Sequence, residues 1–172
     1  MKKIIILLGL LVLSACSFSL IRFPSSFTQT ITPTHEGCYY VWAHQSLPEV
    51  TEKLDAAIQE LQPTASANAD AFGEDCVYAD GHSTFGAMET DFYVNLFIES
   101  RGDEDAMGNW IAQVMPVIDQ LTGFPGGPGF VEFSFQDGES SPLAVRVPVY
   151  QYKNKAQGIS GAKLFRLFYT TP

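Results

Sequence analysis

The sequence predicts an α+β fold in which two helices pack on one face of an antiparallel sheet. Several stretches alternate apolar and polar residues, which is typical of half-buried strands. Two other stretches repeat apolar residues at helical spacing, each with a single apolar stripe. Turn residues such as Asp80-Gly81 separate these stretches. In chain order, the pattern predicts β-α-β-β-α-β followed by β-β.

The first strand and the first helix come early in the chain. Cys38–Ala43 is rich in β-branched and aromatic residues, which favour a strand. Ser46, Pro48 and Glu49 fit a capping box with a proline in the first helical turn. Pro63 ends the helix. Its apolar stripe is Leu47, Val50, Leu54, Ile58 and Leu61.

Two strands are predicted next, joined by the Asp80-Gly81 turn. The first lies around Ala71–Ala79, and the second covers Glu89–Glu99. In the second strand, alternate residues face opposite sides. One side carries Phe92, Val94, Leu96 and Ile98, and the other carries Tyr93, Asn95 and Phe97.

The second helix is predicted to begin after Asp103–Asp105, whose negative charges suit a helix N-terminus. Pro116 falls inside this helix, where a kink is expected because proline cannot donate to the carbonyl of Ala112. The buried stripe is Met107, Ile111, Val114, Ile118 and Leu121.

Three further strands complete the prediction. Phe130–Gln136 and Leu143–Val149 alternate apolar and polar residues, and Pro148 indicates that the latter lies at a sheet edge. Lys163–Thr170 is the last strand. The first six elements follow the order of a ferredoxin-like βαββαβ core, and the last two strands would add a C-terminal β-hairpin.

The N-terminus carries an export signal. Lys2 and Lys3 precede the apolar run Ile4–Leu13. As a helix this run spans about 15 Å, too short for the ~30 Å hydrocarbon core of a bilayer. A cleaved signal peptide is therefore favoured over a transmembrane helix.

The apolar run ends in Leu13-Ser14-Ala15-Cys16, which resembles the lipobox of bacterial lipoproteins. The resemblance covers residues 1–16. It implies cleavage before Cys16, a diacylglycerol thioether on Cys16, and usually an N-linked acyl chain such as palmitate. The alternative is an ordinary secretory cleavage site with a chance cysteine. We therefore expect an extracytoplasmic protein anchored through Cys16 to the outer membrane or to the outer face of the cell membrane.

The sequence divides into three segments. Residues 1–15 are the signal peptide, and residues 16–35 are the lipidated cysteine and a flexible tether. The tether is rich in Ser, Thr and Pro and cannot bury enough apolar surface to offset chain ordering. Residues 36–172 are predicted to form a single globular α+β domain.

The charge of the chain disfavours nucleic acid as a partner. The net charge is −9, and removing Lys2 and Lys3 with the signal peptide makes it −11, whereas phosphate binding needs a basic face. Residues 140–172 nevertheless carry no acid and five bases: Arg146, Lys153, Lys155, Lys163 and Arg166. Two interpretations stay open: this segment docks on an acidic body, or it binds an anionic ligand or lipid headgroups.

Two cysteines follow Cys16. In an exported protein, Cys38 and Cys76 are expected to form a disulfide. In a ferredoxin-like sheet the first two strands are separated by another, which would place these cysteines ~9.6 Å apart. A disulfide tolerates Cα separations up to about 7 Å. Either one cysteine lies outside its strand, or the strand order differs.

No motif predicts a catalytic residue, a metal site or a cofactor. Asp80-Gly81-His82-Ser83 holds the residue types of a catalytic triad, but triad members normally converge from distant parts of a chain. The histidines lack zinc-binding spacing. The alternative to a binding role is an envelope hydrolase that uses the region of Asp80 and His82 together with Glu89.

Aromatic residues dominate the predicted sheet. They would be core residues in most proteins, but an uncovered face with Tyr, Trp and Asn would be a recognition surface. The candidate ligand surface is Tyr40, Trp42, Tyr93 and Asn95. The preferred prediction is therefore a membrane-anchored binding or accessory module of the cell envelope, with an envelope protein or polymer as partner.

Overall fold

The computed structural model describes residues 37–138 and 141–169, which form five strands and four helices. The elements are β1 (Tyr39–Ser46), α1 (Pro48–Leu61), β2 (Ser66–Val77), β3 (Ser83–Phe97), α2 (Glu104–Gln120), β4 (Gly127–Gln136), β5 (Leu143–Pro148), α3 (Val149–Lys155) and α4 (Gly161–Phe168). The predicted signal peptide, Cys16 and the tether lie outside the described residues. None of the described helices has the length and apolar character needed to cross a bilayer.

The five strands form one mixed sheet in the order β1-β2-β3-β4-β5. All neighbours are antiparallel except β3 and β4, which are parallel because α2 carries the chain back across the sheet. The α+β class is confirmed. The prediction of a purely antiparallel sheet is wrong because β3 and β4 are parallel. The ferredoxin-like order is wrong because β1 lies directly beside β2. Pro148 does mark an edge strand, as predicted.

The strand order accounts for the disulfide, which joins Cys38 and Cys76 with their Cα atoms 5.2 Å apart. Tyr40 opposes Cys76 in the antiparallel ladder, so Cys38 lies diagonally across from it. The predicted disulfide is confirmed. The conflict with the ferredoxin-like order is resolved because Cys38 directly precedes β1, and β1 is the neighbour of the strand that holds Cys76.

Helix α1 begins differently from the prediction. Ser46 is the last residue of β1 and pairs with Asp70, so the capping box is wrong. The side chains of α1 instead bond to β2 beyond the end of β1. Thr51 Oγ1 accepts from the Ala69 N–H at 3.0 Å, and Asp55 Oδ1 accepts from the Ala67 N–H at 2.7 Å. Helix α1 thereby covers the edge of β2 that β1 leaves unpaired.

The predicted C-terminal β-hairpin is wrong, because α3 and α4 occupy this part of the chain. Leu164, Phe165 and Phe168 recur at helical spacing, and the first two are buried. Helix α4 packs closely on α2 at Gly108 and Gly161, where a Cβ on residue 108 would overlap the Gly161 carbonyl. The two glycines therefore allow α4 to pack directly against α2.

The core lies between the sheet and the helices, on one face of the sheet. Burial confirms the alternation predicted for β3, β4 and β5. It also confirms the stripes predicted for α1 and α2, except that Leu61 is 37% exposed and that Leu47 and Leu121 are only partly buried. The largest fully buried side chains are Phe92, Phe133, Phe135, Phe165, Leu54, Ile58, Leu96, Met107, Ile111, Ile118, Leu164 and Val94. The second helix also begins as predicted, with Asp103 accepting from the Ala106 N–H at 2.9 Å.

Candidate functional site

The sheet face opposite the helices is uncovered by any described element. Because alternate strand residues face opposite sides, the register assigns side chains to this surface, which we call the open face. It comprises Tyr40, Trp42 and His44 of β1, Asp70, Phe72 and Glu74 of β2, Glu89, Asp91, Tyr93, Asn95 and Phe97 of β3, Phe130, Glu132 and Ser134 of β4, and Ala144 and Arg146 of β5.

All four residues of the predicted ligand surface, Tyr40, Trp42, Tyr93 and Asn95, lie on the open face. They do not form one cluster, however. Trp42 opposes Glu74, whereas Tyr93 opposes Asn68, six residues away on the same strand. This offset separates the two pairs by about 20 Å along the sheet. The structure therefore places one pair at each end of the face.

The first end is strongly exposed and aromatic. Tyr40 is 67% exposed and Trp42 is 64% exposed. The Trp42 ring stacks on Phe72 with centroids 5.2 Å apart, and His44 lies against the same Phe72 ring at 5.0 Å. These contacts hold the rings of Trp42 and His44 in place while leaving much of their area open to solvent.

At the other end, Arg146 and Tyr93 both pack on the Phe130 ring. The Arg146 guanidinium carbon lies 3.9 Å from the Phe130 ring centroid, and the Tyr93 ring meets Phe130 edge to face at 5.9 Å. Arg146 also donates to Glu132 at 2.8 Å. Burial raises the pKa of the Tyr93 hydroxyl, and the carboxylates of Asp91 and Asp70 add to this shift. Cation–π and ion-pair contacts thus fix this end of the open face.

Asp91 lies at the centre and is only 2% exposed. The pairing of β3 with β4 shifts register beside Asp91, which brings Gly129 and Phe130 against its carboxylate. The Phe130 N–H donates to Asp91 Oδ1 at 3.3 Å. A Cβ on residue 129 would overlap the carboxylates of Asp91 and Glu89, so a larger residue here would have to displace them. Burial raises the pKa of Asp91, and the charge of Glu89 raises it further.

The sequence did not identify Asp91 as a site residue. One local sign is the glycine-rich Gly126-Gly127-Pro128-Gly129 segment. Gly129 lies inside β4, and a glycine within a strand signals close approach of the backbone to another group. The group in question lies 38 residues earlier in the chain, and periodicity within one strand cannot reveal such a pairing.

The open face is acidic. Among the side chains assigned to it, Arg146 is the one Lys or Arg. Five are carboxylates: Asp70, Glu74, Glu89, Asp91 and Glu132. Aromatic rings lie between these acids on the same surface. Such a surface suits a partner that is neutral or basic and offers apolar or planar groups.

The basic C-terminal segment pairs with acids of the same chain. Lys153 forms an ion pair with Asp119, and Arg166 forms one with Glu104 at 2.5 Å. Together with the Arg146–Glu132 pair, these contacts support the interpretation that this segment docks on an acidic body.

The residues of the alternative hydrolase site lie at the turn between β2 and β3. His82 Nδ1 is 2.5 Å from Asp80 Oδ1, and the His82 ring stacks on Tyr78 at 4.1 Å. The hydrogen bonds from His82 lower the pKa of Asp80, but both side chains are more than half exposed. Glu89 lies about 20 Å away along β3, since each strand residue advances the chain by ~3.3 Å. The three residues therefore do not converge.

Within residues 37–138 and 141–169, no group of three or more His, Cys, Asp or Glu is arranged to hold a metal ion. Comparison with family models, with curated proteins and with solved structures found no match to this chain.

Proposed function

We propose that the protein is a lipid-anchored, extracytoplasmic module that binds a partner of the cell envelope through the open face. The observation that supports this proposal is the open face itself. It presents aromatic rings and carboxylates on a sheet whose opposite face is covered by helices over most of β2 to β5. An apolar and charged surface of this extent on a rigid sheet is typical of a recognition site.

The proposed location rests on two features. The lipobox places the anchor at Cys16, and the Cys38–Cys76 disulfide is typical of proteins that fold in an oxidising compartment. Both features fit export across the cytoplasmic membrane.

The chemistry of the open face narrows the partner. An acidic surface repels polyanions, so nucleic acids and strongly anionic polymers are disfavoured. The rings of Phe72, Tyr93 and Phe130 can pack on aliphatic side chains or on the flat faces of sugars. We therefore infer a partner that is an envelope protein or polymer with a neutral or basic surface.

Site-specific photo-crosslinking in living cells tests the binding role. A benzophenone amino acid replaces Phe97, which is 43% exposed on the open face. The matched control replaces Tyr150 of α3, which is 77% exposed. We expect a discrete adduct of protein or polymer from position 97 and none from position 150. Equal labelling at both positions, or none at 97, would contradict the proposal.

The anchor is tested separately. We expect Cys16→Ala to abolish incorporation of labelled palmitate. The variant should accumulate as a protein without lipid, whether or not its signal peptide is cleaved. Cys38→Ser serves as the control, because it changes a cysteine without touching the lipobox. Equal palmitate labelling of Cys16→Ala and the parent chain would refute lipidation at this residue.

A further inference from the structure

The outer edge of β1 carries a row of backbone donors and acceptors that pair with no strand of the described residues. Natural proteins usually protect such an edge with a proline, a charged side chain, a bulge or a short strand. Tyr39–Ser46 has eight residues, no proline, no Asp, Glu, Lys or Arg, and an unbroken register with β2. The sequence of β1 itself therefore carries none of these protective features.

The opposite edge of the same sheet shows the contrast. Strand β5 is six residues long and contains both Arg146 and Pro148. A proline removes a donor and a charge opposes pairing with another strand. Strand β5 is protected against pairing with a further strand and β1 is not, which indicates that β1 is the edge available for such pairing.

We propose that β1 pairs with β1 of a second copy of this chain, antiparallel about a twofold axis through Trp42. The strand is self-complementary about this residue, since Tyr40-Val41-Trp42-Ala43-His44 reads aromatic, small, aromatic, small, aromatic in both directions. A twofold interface requires such self-complementarity. Trp42 then faces Trp42 of the second copy, and Tyr40 faces His44.

The charges permit this pairing despite the net charge of −9. The paired strands themselves bring no formal charges together. The nearest acid on the open face is Glu74, which lies one strand inward, opposite Trp42. The two copies of Glu74 would be about 14 Å apart across the dimer, beyond the screening length of ~8 Å at physiological ionic strength.

The exposed area also fits a dimer. Tyr39, Tyr40 and Trp42 are 63%, 67% and 64% exposed. Side chains of this size present ~150–250 Å² each, so each copy offers roughly 400 Å² of aromatic surface. Even complete burial of this surface in both copies, with Val41 and the edge backbone added, would only reach the ~1,200 Å² at the lower end of specific interfaces. The dimer would join the two sheets into one of ten strands.

Disulfide trapping in membranes tests the pairing on the full-length chain. Residues facing each other across antiparallel strands have Cα atoms ~4.5–5.5 Å apart, within the range of a disulfide. We expect Trp42→Cys to give a disulfide-linked dimer under non-reducing conditions. Ala144→Cys, which places an exposed thiol on the other edge strand, is the control and should stay monomeric. Equal cross-linking of the two variants would overturn the proposal.

A charge swap distinguishes self-pairing from pairing with another protein. Trp42→Lys and Trp42→Glu each bring like charges together at the twofold axis, whereas a mixture of the two variants brings opposite charges together. In density-matched detergent micelles, we expect the parent chain to be dimeric and each variant to have a dissociation constant at least about tenfold higher. The equimolar mixture should restore the dimer.

Circular dichroism and thermal unfolding of the Trp42 variants confirm that the fold persists, as expected for a largely exposed side chain. A monomeric parent chain at micromolar concentration would overturn the proposal. So would a Trp42→Lys variant that dimerises as well as the parent, because the contact would then lie elsewhere. The proposal does not depend on the proposed function, whose probe at Phe97 lies far from β1.

Discussion

Two regions of the same sheet are supported in different ways. In the body, where helices back β2 to β5, every second residue is buried, as in the series Ala65, Ala67, Ala69 and Ala71. In the arm, formed by residues 38–43, 73–77 and 83–87, the adjacent residues Tyr39 and Tyr40 are both exposed although they face opposite sides. The arm therefore meets solvent on both faces, and the body on one.

This difference separates two sources of stability. Apolar burial stabilises the body, and it is cooperative because sheet and helices share one core. The arm depends on its backbone ladder, on the Cys38–Cys76 disulfide and on the turn at Asp80. Regions with few buried apolar contacts open at lower free energy than the core does. The arm is thus expected to open first.

The largest expected effect comes from the body. Phe133→Ala removes a fully buried ring that stacks on Phe135 at 6.0 Å. We expect a loss of about 3–5 kcal/mol in the free energy of unfolding, measured by urea titration. Tyr40→Ala in the arm is the control, with a change within about 0.5 kcal/mol under monomeric conditions. Similar losses for both variants would erase the distinction between body and arm.

The disulfide gives the next largest effect. Replacing Cys38 and Cys76 with serine removes a cross-link between residues 38 apart. In the chain-entropy treatment, closing this loop with a disulfide stabilises the folded state by at most about 4 kcal/mol. We expect hydrogen exchange to accelerate in residues 38–43 and 76–86, whereas amides of β4 stay protected. Uniform acceleration over the whole sheet would mean that the arm and the body unfold together.

Asp91 is expected to make the stability of the body depend on pH. Its pKa is raised in the folded state, so the native protein keeps this proton to a higher pH than the unfolded chain does. The stabilisation is fully present below the ordinary pKa of 3.8 and is lost as pH rises through the folded value. Asp91→Asn, whose amide oxygen still accepts from Phe130, should flatten this decline. Unfolding titrations between pH 4 and 7 measure it, and identical slopes would contradict it.

The smallest effect is expected at the helical surface. The Arg166–Glu104 ion pair is exposed, with 70% of the Arg166 side chain accessible. Exposed pairs typically contribute less than about 1 kcal/mol because water and salt screen them. We expect Arg166→Ala to change the thermal midpoint less than the disulfide variant does. A larger shift would show that α4 depends on this pair rather than on its packing at Gly161.

The parts of the fold that could be predicted are those written in local periodicity. The alternation around Phe92 and Phe133 and the helical stripe around Leu54 each lie within one element, and each matches the structure. Strand order depends on contacts between elements, such as Thr51 of α1 with Ala69 of β2, which no periodicity reveals. The sequence predicts a strand in place of the last helix because the Phe, Tyr and Thr residues of 163–170 favour strands.

The candidate site was predictable only in part for the same reason. Alternation placed Tyr93 and Asn95 on the face opposite Phe92, and this is how the structure has them. The distance between these residues and Trp42 depends on the register between strands. The burial of Asp91 depends on a register shift in β4, which a single stretch of sequence does not encode.

The position of the disulfide has a mechanical consequence. Cys38 lies directly before β1, where the chain enters the sheet from its N-terminal segment. A pull on that segment reaches β2 through a covalent bond before it strains any hydrogen bond of β1. Strand β1 therefore cannot be peeled from the sheet residue by residue from its N-terminal end. If the proposed lipid on Cys16 anchors the chain, this disulfide would keep β1 in place when the anchor is pulled.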